Sequence, residues 1–324
     1  MNAAPNAMAS EAPVLTITLN PALDLATRTE AVEPAHKLRC EPPLRHPGGG
    51  GLNVARALHR LGHPVLALYL AGGMTGDSLG QLLSLQGVPA RRIPIAGETR
   101  TSFAVVESAG EGREFRFVLP GPALQDDEWL ATRTAVASQA SPGGLVVLSG
   151  SLPPGSPDDA YAQLADLAST AGSRVALDSS GPALAAALAG GCVDLVKPSL
   201  RELGSLVDAP LDTEARWAMA CRSLIEQGRA RRVALSLGER GALLASANGC
   251  WRADALKVPV ASSSGAGDSF LAGLCAARLR GDNEPEMLRK AVAAASAALL
   301  RPGTALCEPD DVARLAPQVQ VRRL

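Results

Sequence analysis

The feature that most constrains the fold of this chain is the alternation of short apolar runs with longer helical stretches. Strands buried on both faces of a sheet give such continuous apolar runs. We predict strands at 14–19, 65–70, 145–148, 175–177, 194–196 and 232–235, and helices at 51–61, 78–86, 126–140, 157–171 and 213–227. The alternation predicts an α/β fold with a mostly parallel central sheet covered by helices on both faces.

Two regions depart from this alternation. Residues 27–44 alternate polar and apolar side chains without a helical period, and residues 102–118 predict two strands joined by a turn at 108–112. We expect both regions to form a small β-rich lid beside the main sheet. Near the C-terminus, the alanine-rich residues 268–280 and 284–300 predict two helices that can pack closely.

Composition excludes several classes of protein. The chain has 324 residues and 31 basic against 32 acidic side chains, which gives no basic surface for nucleic acid. Its six cysteines lie far apart without a CxxC pair, so we expect reduced thiols and no zinc site. No apolar run approaches the roughly 20 residues that cross a bilayer, and residues 1–12 lack the features of a secretory signal. We predict a flexible extension at 1–12 and one cytoplasmic domain at 13–324, without a membrane partner.

The most informative segment is Gly265-Ala266-Gly267-Asp268, a small-residue loop that enters a predicted helix. Free backbone N–H groups at a helix N-terminus attract anions, and glycine lets a phosphate approach the backbone closely. Asp268 has two possible roles. It is either the N-cap of the helix or a general base that takes a proton from an acceptor hydroxyl.

A second glycine run, Gly48-Gly49-Gly50-Gly51, also enters a predicted helix and is followed by Asn53. A dinucleotide-binding loop requires a preceding buried strand and an acidic residue about 20 positions later, and neither is present. Two alternatives remain. The glycines either form a structural turn or open room for a polyhydroxylated ligand that Asn53 contacts.

Three further segments follow predicted strands, where ligands of open α/β sheets bind. Asp24 follows the first strand and could accept two sugar hydroxyls, or could only shape a turn. Lys197 precedes Ser199 and Glu202, whose spacing also matches a helix capping box. Residues 236–241 form a glycine-bearing turn suited to a nucleotide.

In this order the segments resemble the ribokinase-like (PfkB) carbohydrate kinases, from about Val14 to Cys307. The resemblance implies a ribokinase-like three-layer α/β/α fold with a β-rich lid. Within the family, the branch that phosphorylates fructose 6-phosphate at its C1 hydroxyl is most similar. That likeness rests on the glycine run with Asn53 and on the segments at 38–40, 115–118, 149–155, 178–181 and 303–304.

The resemblance also assigns expected roles. It implies that Asp268 is the catalytic base and that Gly265, Ala266 and Gly267 stabilise the transferring phosphoryl group. The phosphosugar would contact Asp24, Lys37, Arg39, Gly48, Gly49, Gly50, Gly51, Asn53, Arg100 and Ser149, with Lys37 alternatively binding a regulatory nucleotide. ATP would contact Lys197, Ser199, Ser236, Leu237, Gly238, Gly241 and Ser296, and Glu202 would help to position Mg²⁺. An exposed lid sheet would further be covered by a second copy, giving a homodimer.

Some residues depart from the family pattern. Ser199 stands where the family usually has Asn, and Arg301 and Ala305 replace residues near a monovalent-cation site, so K⁺ binding stays open. The alternatives in the same chemistry are a 1-phosphofructokinase and a tagatose-6-phosphate kinase, which often have Lys where this chain has Gly50. A non-catalytic sugar or nucleotide sensor is the rival from another class, and the intact Asp268 argues against it.

Overall fold

The computed structural model describes residues 13–109 and 112–324. The predicted extension at 1–12 and the middle of the predicted turn, residues 110 and 111, lie outside the described residues. Within the described ranges, no helix is both long enough and apolar enough to pass through a membrane.

The strands and helices are numbered along the chain. The strands are β1 (Val14–Thr18), β2 (Ala22–Thr29), β3 (Leu44–Gly48), β4 (Val65–Ala71), β5 (Ala90–Pro94), β6 (Arg100–Glu107), β7 (Glu114–Val118), β8 (Leu145–Ser149), β9 (Arg174–Asp178), β10 (Val193–Val196), β11 (Ala230–Ser236), β12 (Ala242–Ser246), β13 (Gly249–Ala253) and β14 (Val321–Arg323). The helices are α1 (Gly50–Arg60), α2 (Gly73–Leu85), α3 (Asp126–Gln139), α4 (Ala160–Thr170), α5 (Gly181–Ala189), α6 (Leu200–Leu206), α7 (Glu214–Glu226), α8 (Ala266–Leu279), α9 (Glu284–Leu299) and α10 (Pro309–Leu315).

A ten-stranded sheet forms the centre of the molecule, in the order β14-β13-β12-β11-β10-β9-β8-β1-β4-β5. The seven strands from β11 to β5 are parallel to their neighbours, whereas β12, β13 and β14 add an antiparallel edge. Adjacent residues of one strand enter different cores, as Val146 and Val147 of β8 do. Both faces of the sheet are therefore buried, which confirms the three-layer α/β/α fold.

Helix α2 begins five residues earlier than predicted, at Gly73 rather than at residue 78. Gly73 has a φ of 67°, and the glycines around it are poor helix formers, so the first turn carries no sequence signal. The antiparallel edge β12–β14, strand β5 and helices α5, α6 and α10 were likewise not predicted from periodicity.

A second sheet forms the lid, with the strand order β3-β2-β6-β7. Strand β2 pairs in parallel with β6, and both outer pairs are antiparallel. Strands β6 and β7 occupy the predicted region 102–118, but the prediction for 27–44 was wrong in detail, since residues 30–43 contain no strand. Pro34, Pro42 and Pro43 interrupt this segment, and proline cannot donate to a sheet ladder. The limits of the single domain stay a prediction.

The alanine-rich helices α8 and α9 pack backbone against backbone at Gly273. A Cβ added there would lie 2.8 Å from the Cα of Ala291 and 3.1 Å from the Cβ of Ala294. No real Cβ fits at that separation, so this crossing requires glycine.

We therefore expect Gly273→Ala to lower the free energy of unfolding by about 1–3 kcal/mol, because the added methyl group overpacks the crossing. The matched control is Gly204→Ala in the exposed part of α6, where the nearest side-chain atom lies 3.8 Å from an added Cβ. This control should raise stability by about 0.5–1 kcal/mol through backbone entropy. Urea denaturation measures both, and equal stability of the two variants would contradict the close crossing.

Candidate functional site

Helix α8 presents its N-terminus at the edge where the parallel strands end. Its N-cap is Gly265, which has the left-handed φ of 77°, and Ala266 is its first residue. Asp268 is thus the third residue of the helix and not its cap, so the capping interpretation of Asp268 is wrong. The first N–H groups of the helix have no partner within it, which makes this turn suited to an anion.

The Asp268 carboxylate is held from the side by helix α1. The side-chain Nδ2 of Asn53 donates a hydrogen bond to Asp268 Oδ2 at 2.8 Å. Burial raises the pKa of Asp268, and the hydrogen bond from Asn53 and the charge of Lys197 offset part of that rise. A fixed carboxylate with a raised pKa is a stronger proton acceptor than an exposed aspartate.

Lys197 approaches the same turn from the end of β10. It is buried, and its Nζ lies 3.0 Å from Asp178 Oδ1 at the end of β9. A Cβ on Gly267 would lie 3.8 Å from that Nζ, which places the ammonium beside the anion-binding turn. Burial raises the pKa of Asp178 to about 6, and the ammonium of Lys197 opposes this rise. Asp178 was missed as a site residue, although it ends the strand beside the one that precedes Lys197.

A cleft of about 230 Å³ separates the lid from the main body. Its walls include Ala22, Asp24, Leu25, Ala26, Gly49, Asn53, Arg100, Ser102, Phe103, Ala104, Arg116, Phe117, Val118, Ser264, Gly265, Gly303 and Thr304. Asp24 of β2 accepts a hydrogen bond from Thr304 Oγ1 at 3.0 Å. Burial raises the pKa of Asp24, which the bond from Thr304 partly offsets. The cleft therefore brings together four of the predicted sugar contacts, Asp24, Gly49, Asn53 and Arg100.

The glycine run is explained by what lies against it. A Cβ on Gly48 would overlap the carboxylate of Asp24, and a Cβ on Gly50 would overlap the hydroxyl of Ser149. Among the described residues, the buried Ser149 Oγ has no hydrogen-bond partner. The glycines thus allow the backbone to lie close to two predicted sugar-binding side chains, and a role of the run in ligand binding stays a prediction.

Two arginines of the lid supply positive charge to the cleft. Arg100 donates hydrogen bonds to the backbone carbonyls of Asn20, at 2.9 Å, and Leu119, at 3.1 Å. Arg116 is exposed, and the sequence predictions did not name it as a site residue. The sequence signal that could have identified Arg116 was the segment 115–118, which contributed to the family resemblance but was given no role. Thr304 was missed for the same reason, in the segment 303–304.

The outer lid strand β7 is joined to the loop that precedes Gly265. Glu114 accepts hydrogen bonds from the hydroxyls of Ser262 and Ser263, each at 3.0 Å. Arg116 donates to Ser263 Oγ at 2.6 Å and pairs with Glu114 at 3.1 Å. The lid is therefore fixed to the same loop that leads into the anion-binding turn.

The predicted nucleotide segments lie side by side. Ser199 forms a bridge with Ser236, whose N–H donates to the carbonyl of Pro198 at 2.9 Å. Ser199 and Glu202 form the capping box of α6, since Ser199 N donates to Glu202 Oε2 at 2.7 Å and Glu202 N donates to Ser199 Oγ at 3.3 Å. Both side chains therefore have a structural role, whatever they bind in addition.

Most of the remaining predicted nucleotide-binding residues lie in the segment that follows β11. Leu237 is buried after β11, Gly238 begins a short 3-10 turn, and Gly241 ends that turn with a φ of 91°. Ser296 is buried on α9. The structure thus places residues 236–241 next to Ser199, at the ends of adjacent strands.

Lys37 and Arg39 are not brought into the cleft. Both are exposed and lie in residues 30–43, and neither contributes to the cleft walls. This segment runs back along β2, where Thr27 Oγ1 donates to the carbonyl of Glu41 at 2.7 Å and Thr29 Oγ1 to that of Arg39 at 3.2 Å. Their predicted roles are therefore not explained by the contacts within one copy of the chain.

Comparison with known proteins agrees with this geometry. The pattern of the pfkB family carbohydrate kinases matches residues 14–311. ATP-dependent 6-phosphofructokinase isozyme 2 of Mycobacterium tuberculosis is 43% identical over 301 residues, which cover 93% of this chain and 88% of that protein. The protein of the same name from Escherichia coli is 41% identical over 303 residues, which cover 93% and 97%.

The fold has a close counterpart among solved structures. The crystal structure of phosphofructokinase-2 from Escherichia coli in complex with fructose-6-phosphate matches with a TM-score of 0.88 and 40% identity, covering 95% of this chain and 99% of that chain. The family match spans most of the sequence, and the relatives share its length. The chain belongs to the pfkB family of carbohydrate kinases.

Proposed function

We propose that this protein phosphorylates the C1 hydroxyl of fructose 6-phosphate with ATP in the cytoplasm, giving fructose 1,6-bisphosphate and ADP. The observation that carries the proposal is the Asp268 carboxylate, held by Asn53 at 2.8 Å beside the free N–H groups of α8. Relatives of nearly the same length that are named ATP-dependent 6-phosphofructokinase support the choice of substrate.

Asp268 takes the proton from the C1 hydroxyl as the oxygen attacks the γ-phosphorus. The bond from that phosphorus to the oxygen of the leaving ADP then breaks, and negative charge spreads over the transferring group. The N–H groups of Gly265, Ala266 and Gly267 and the ammonium of Lys197 stabilise that charge. Because these groups are fixed before the reaction, they act by positioning and electrostatics.

Magnesium would arrive with ATP. Within residues 13–109 and 112–324, no three His, Cys, Asp or Glu side chains gather as a metal site. This fits Mg²⁺, which commonly takes one or two carboxylates together with substrate phosphates. Glu202 is the predicted carboxylate that would help to position the ion, and the ion would offset negative charge on the phosphates of ATP. Potassium stays an open proposal, supported by a crystal structure of Escherichia coli phosphofructokinase-2 in complex with potassium.

The sugar lies in the cleft under this proposal. Asp24 accepts two of its hydroxyl groups, and Arg100 with Ser149 binds the 6-phosphate. Lys37 and Arg39 also bind phosphate, or Lys37 a regulatory nucleotide, once their exposed segment is covered.

The lid is the proposed dimer contact. Phe103 and Phe117 stack with their ring centres 4.7 Å apart, yet they remain 37% and 43% exposed, and Val118 is 69% exposed. A second lid would cover this apolar surface and the sheet edges.

We expect a dimer in sedimentation velocity at micromolar concentration. Leu44→Glu should weaken it, because Leu44 is 45% exposed on the edge strand β3. The matched control is Leu130→Glu on α3, where Leu130 is 62% exposed outside the lid. A monomeric wild type, or equal effects of the two variants, would refute a dimer through the lid.

A panel of acceptor sugars tests the proposed activity. With ATP and Mg²⁺ in a coupled assay for ADP, kcat/KM should be highest for fructose 6-phosphate and much lower for tagatose 6-phosphate, fructose 1-phosphate and free fructose. Arg100→Gln should raise KM for fructose 6-phosphate about tenfold or more through loss of a charged hydrogen bond. The control is Arg28→Gln, because Arg28 is an exposed arginine on strand β2 of the same lid sheet. A preference for an unphosphorylated sugar would overturn the assignment.

A further inference from the structure

Arg56 of α1 is a fully buried arginine that the proposed chemistry does not use. Its exposed fraction is 0%, and it heads the fully buried side chains ranked by volume. Among the described residues, no carboxylate forms an ion pair with it. A buried charge without a direct counter-ion is costly, so its position calls for a physical reason.

The guanidinium donates to four acceptors on four different segments. Nε donates to Gln86 Oε1 at 2.8 Å, and Nη1 donates to the carbonyl of Pro47 at 2.8 Å and to Asn53 Oδ1 at 3.0 Å. Nη2 donates to the carbonyl of Thr304 at 3.1 Å. The acceptors come from the end of α2, the lid strand β3, helix α1 and the loop before α10.

Two of these bonds lead to the two carboxylates of the site, Asp268 and Asp24. Asn53 accepts from Arg56 through Oδ1, so its amide must turn Nδ2 toward Asp268, to which it donates at 2.8 Å. Thr304 accepts through its carbonyl, and its hydroxyl donates to Asp24 Oδ2 at 3.0 Å.

We propose that Arg56 is a positioning residue that orients both carboxylates of the site, Asp268 through Asn53 and Asp24 through Thr304. This inference rests on the proposed function, since it concerns the proton acceptor and the sugar-binding carboxylate of that reaction. Arg56 acts through other side chains and has no contact with the reacting atoms.

The positive charge of Arg56 also favours the ionised form of the two carboxylates that its hydrogen bonds orient. Arginine stays protonated in proteins, and Asp24 and Asp268 are the carboxylates that its charge reaches. Lys197 also favours the ionised form of Asp268, whereas Asp24 and Asp178 disfavour it. Arg60 is the cation that faces Arg56 itself. The ionised form of Asp268 thus depends on Arg56 and Lys197 together.

The first variant is Arg56→Lys, which keeps a charge but cannot reach four acceptors. We expect kcat for fructose 6-phosphate to fall about 10- to 100-fold and KM for the sugar to rise, because both carboxylates lose their orientation. KM for ATP should stay within about twofold. The control is Arg232→Lys, a partly buried arginine paired with Asp194 at 3.1 Å.

The second variant, Gln86→Glu, leaves Arg56 in place. A carboxylate bonded to Nε offsets the positive charge of Arg56, so Arg56 stabilises the ionised form of Asp268 less and the pKa of Asp268 rises. We therefore expect the acid limb of the kcat profile to move to higher pH by about half a unit or more. The control is Gln227→Glu. Gln86 and Gln227 are both helix C-caps, of α2 and α7, so the added charge meets the same helix dipole in each.

The outcomes separate the inference from the proposed function. A wild type without activity on fructose 6-phosphate refutes the function itself. With an active wild type, an acid limb that moves in Gln86→Glu and not in Gln227→Glu supports the role of Arg56, and superimposable profiles overturn it. Should Arg56→Lys fold by thermal melt and keep wild-type kcat, or raise KM for ATP as much as for the sugar, the positioning role is also overturned.

Discussion

The hydrogen bond from Asn53 to Asp268 joins the beginnings of two helices whose bonded residues are 215 positions apart in the chain. Helix α1 follows the lid and α8 follows the anion-binding loop, so this bond fixes the sugar side of the site against the phosphate side. The partners of the bond are themselves held, Asn53 by Arg56 and Asp268 by the first turn of α8. Both helices are buried in the same hydrophobic core, on one face of the central sheet, which holds their first turns together.

The site is therefore assembled from parts that no single segment contains. One main-sheet strand ends at Asp178 and its neighbour ends just before Lys197. The lid contributes Asp24 and Arg100, and α8 contributes its N-terminus. The hydrogen bonds of Glu114 to Ser262 and Ser263 couple the lid to the loop before α8. The position of the lid and that of the anion-binding turn are thus fixed by the same contacts.

Much of this could be predicted from the sequence, because buried parallel strands and glycine-rich loops leave strong local signals. The order of Asp24, Asn53, Lys197 and Asp268 predicted the family and its fold. What could not be predicted depends on tertiary contacts. Only the structure excludes Asp268 as the helix cap, because it shows that Gly265 is the N-cap. The hydrogen bonds of Arg56 likewise join residues from four separate segments of the chain. The prolines of residues 30–43 argue against strands there, but the alternation of polar and apolar side chains led to a strand prediction for that segment.

The central claim is that Asp268 is the proton acceptor, and Asp268→Asn tests it most directly, because the amide keeps the shape of the side chain and cannot take the proton. We expect kcat to fall about 10²- to 10⁴-fold while the thermal midpoint hardly changes. Asp282→Asn, at the other end of α8, makes the same change at a carboxylate that is 21% exposed and should keep wild-type kcat. A kcat for Asp268→Asn within a few-fold of the control would contradict the account.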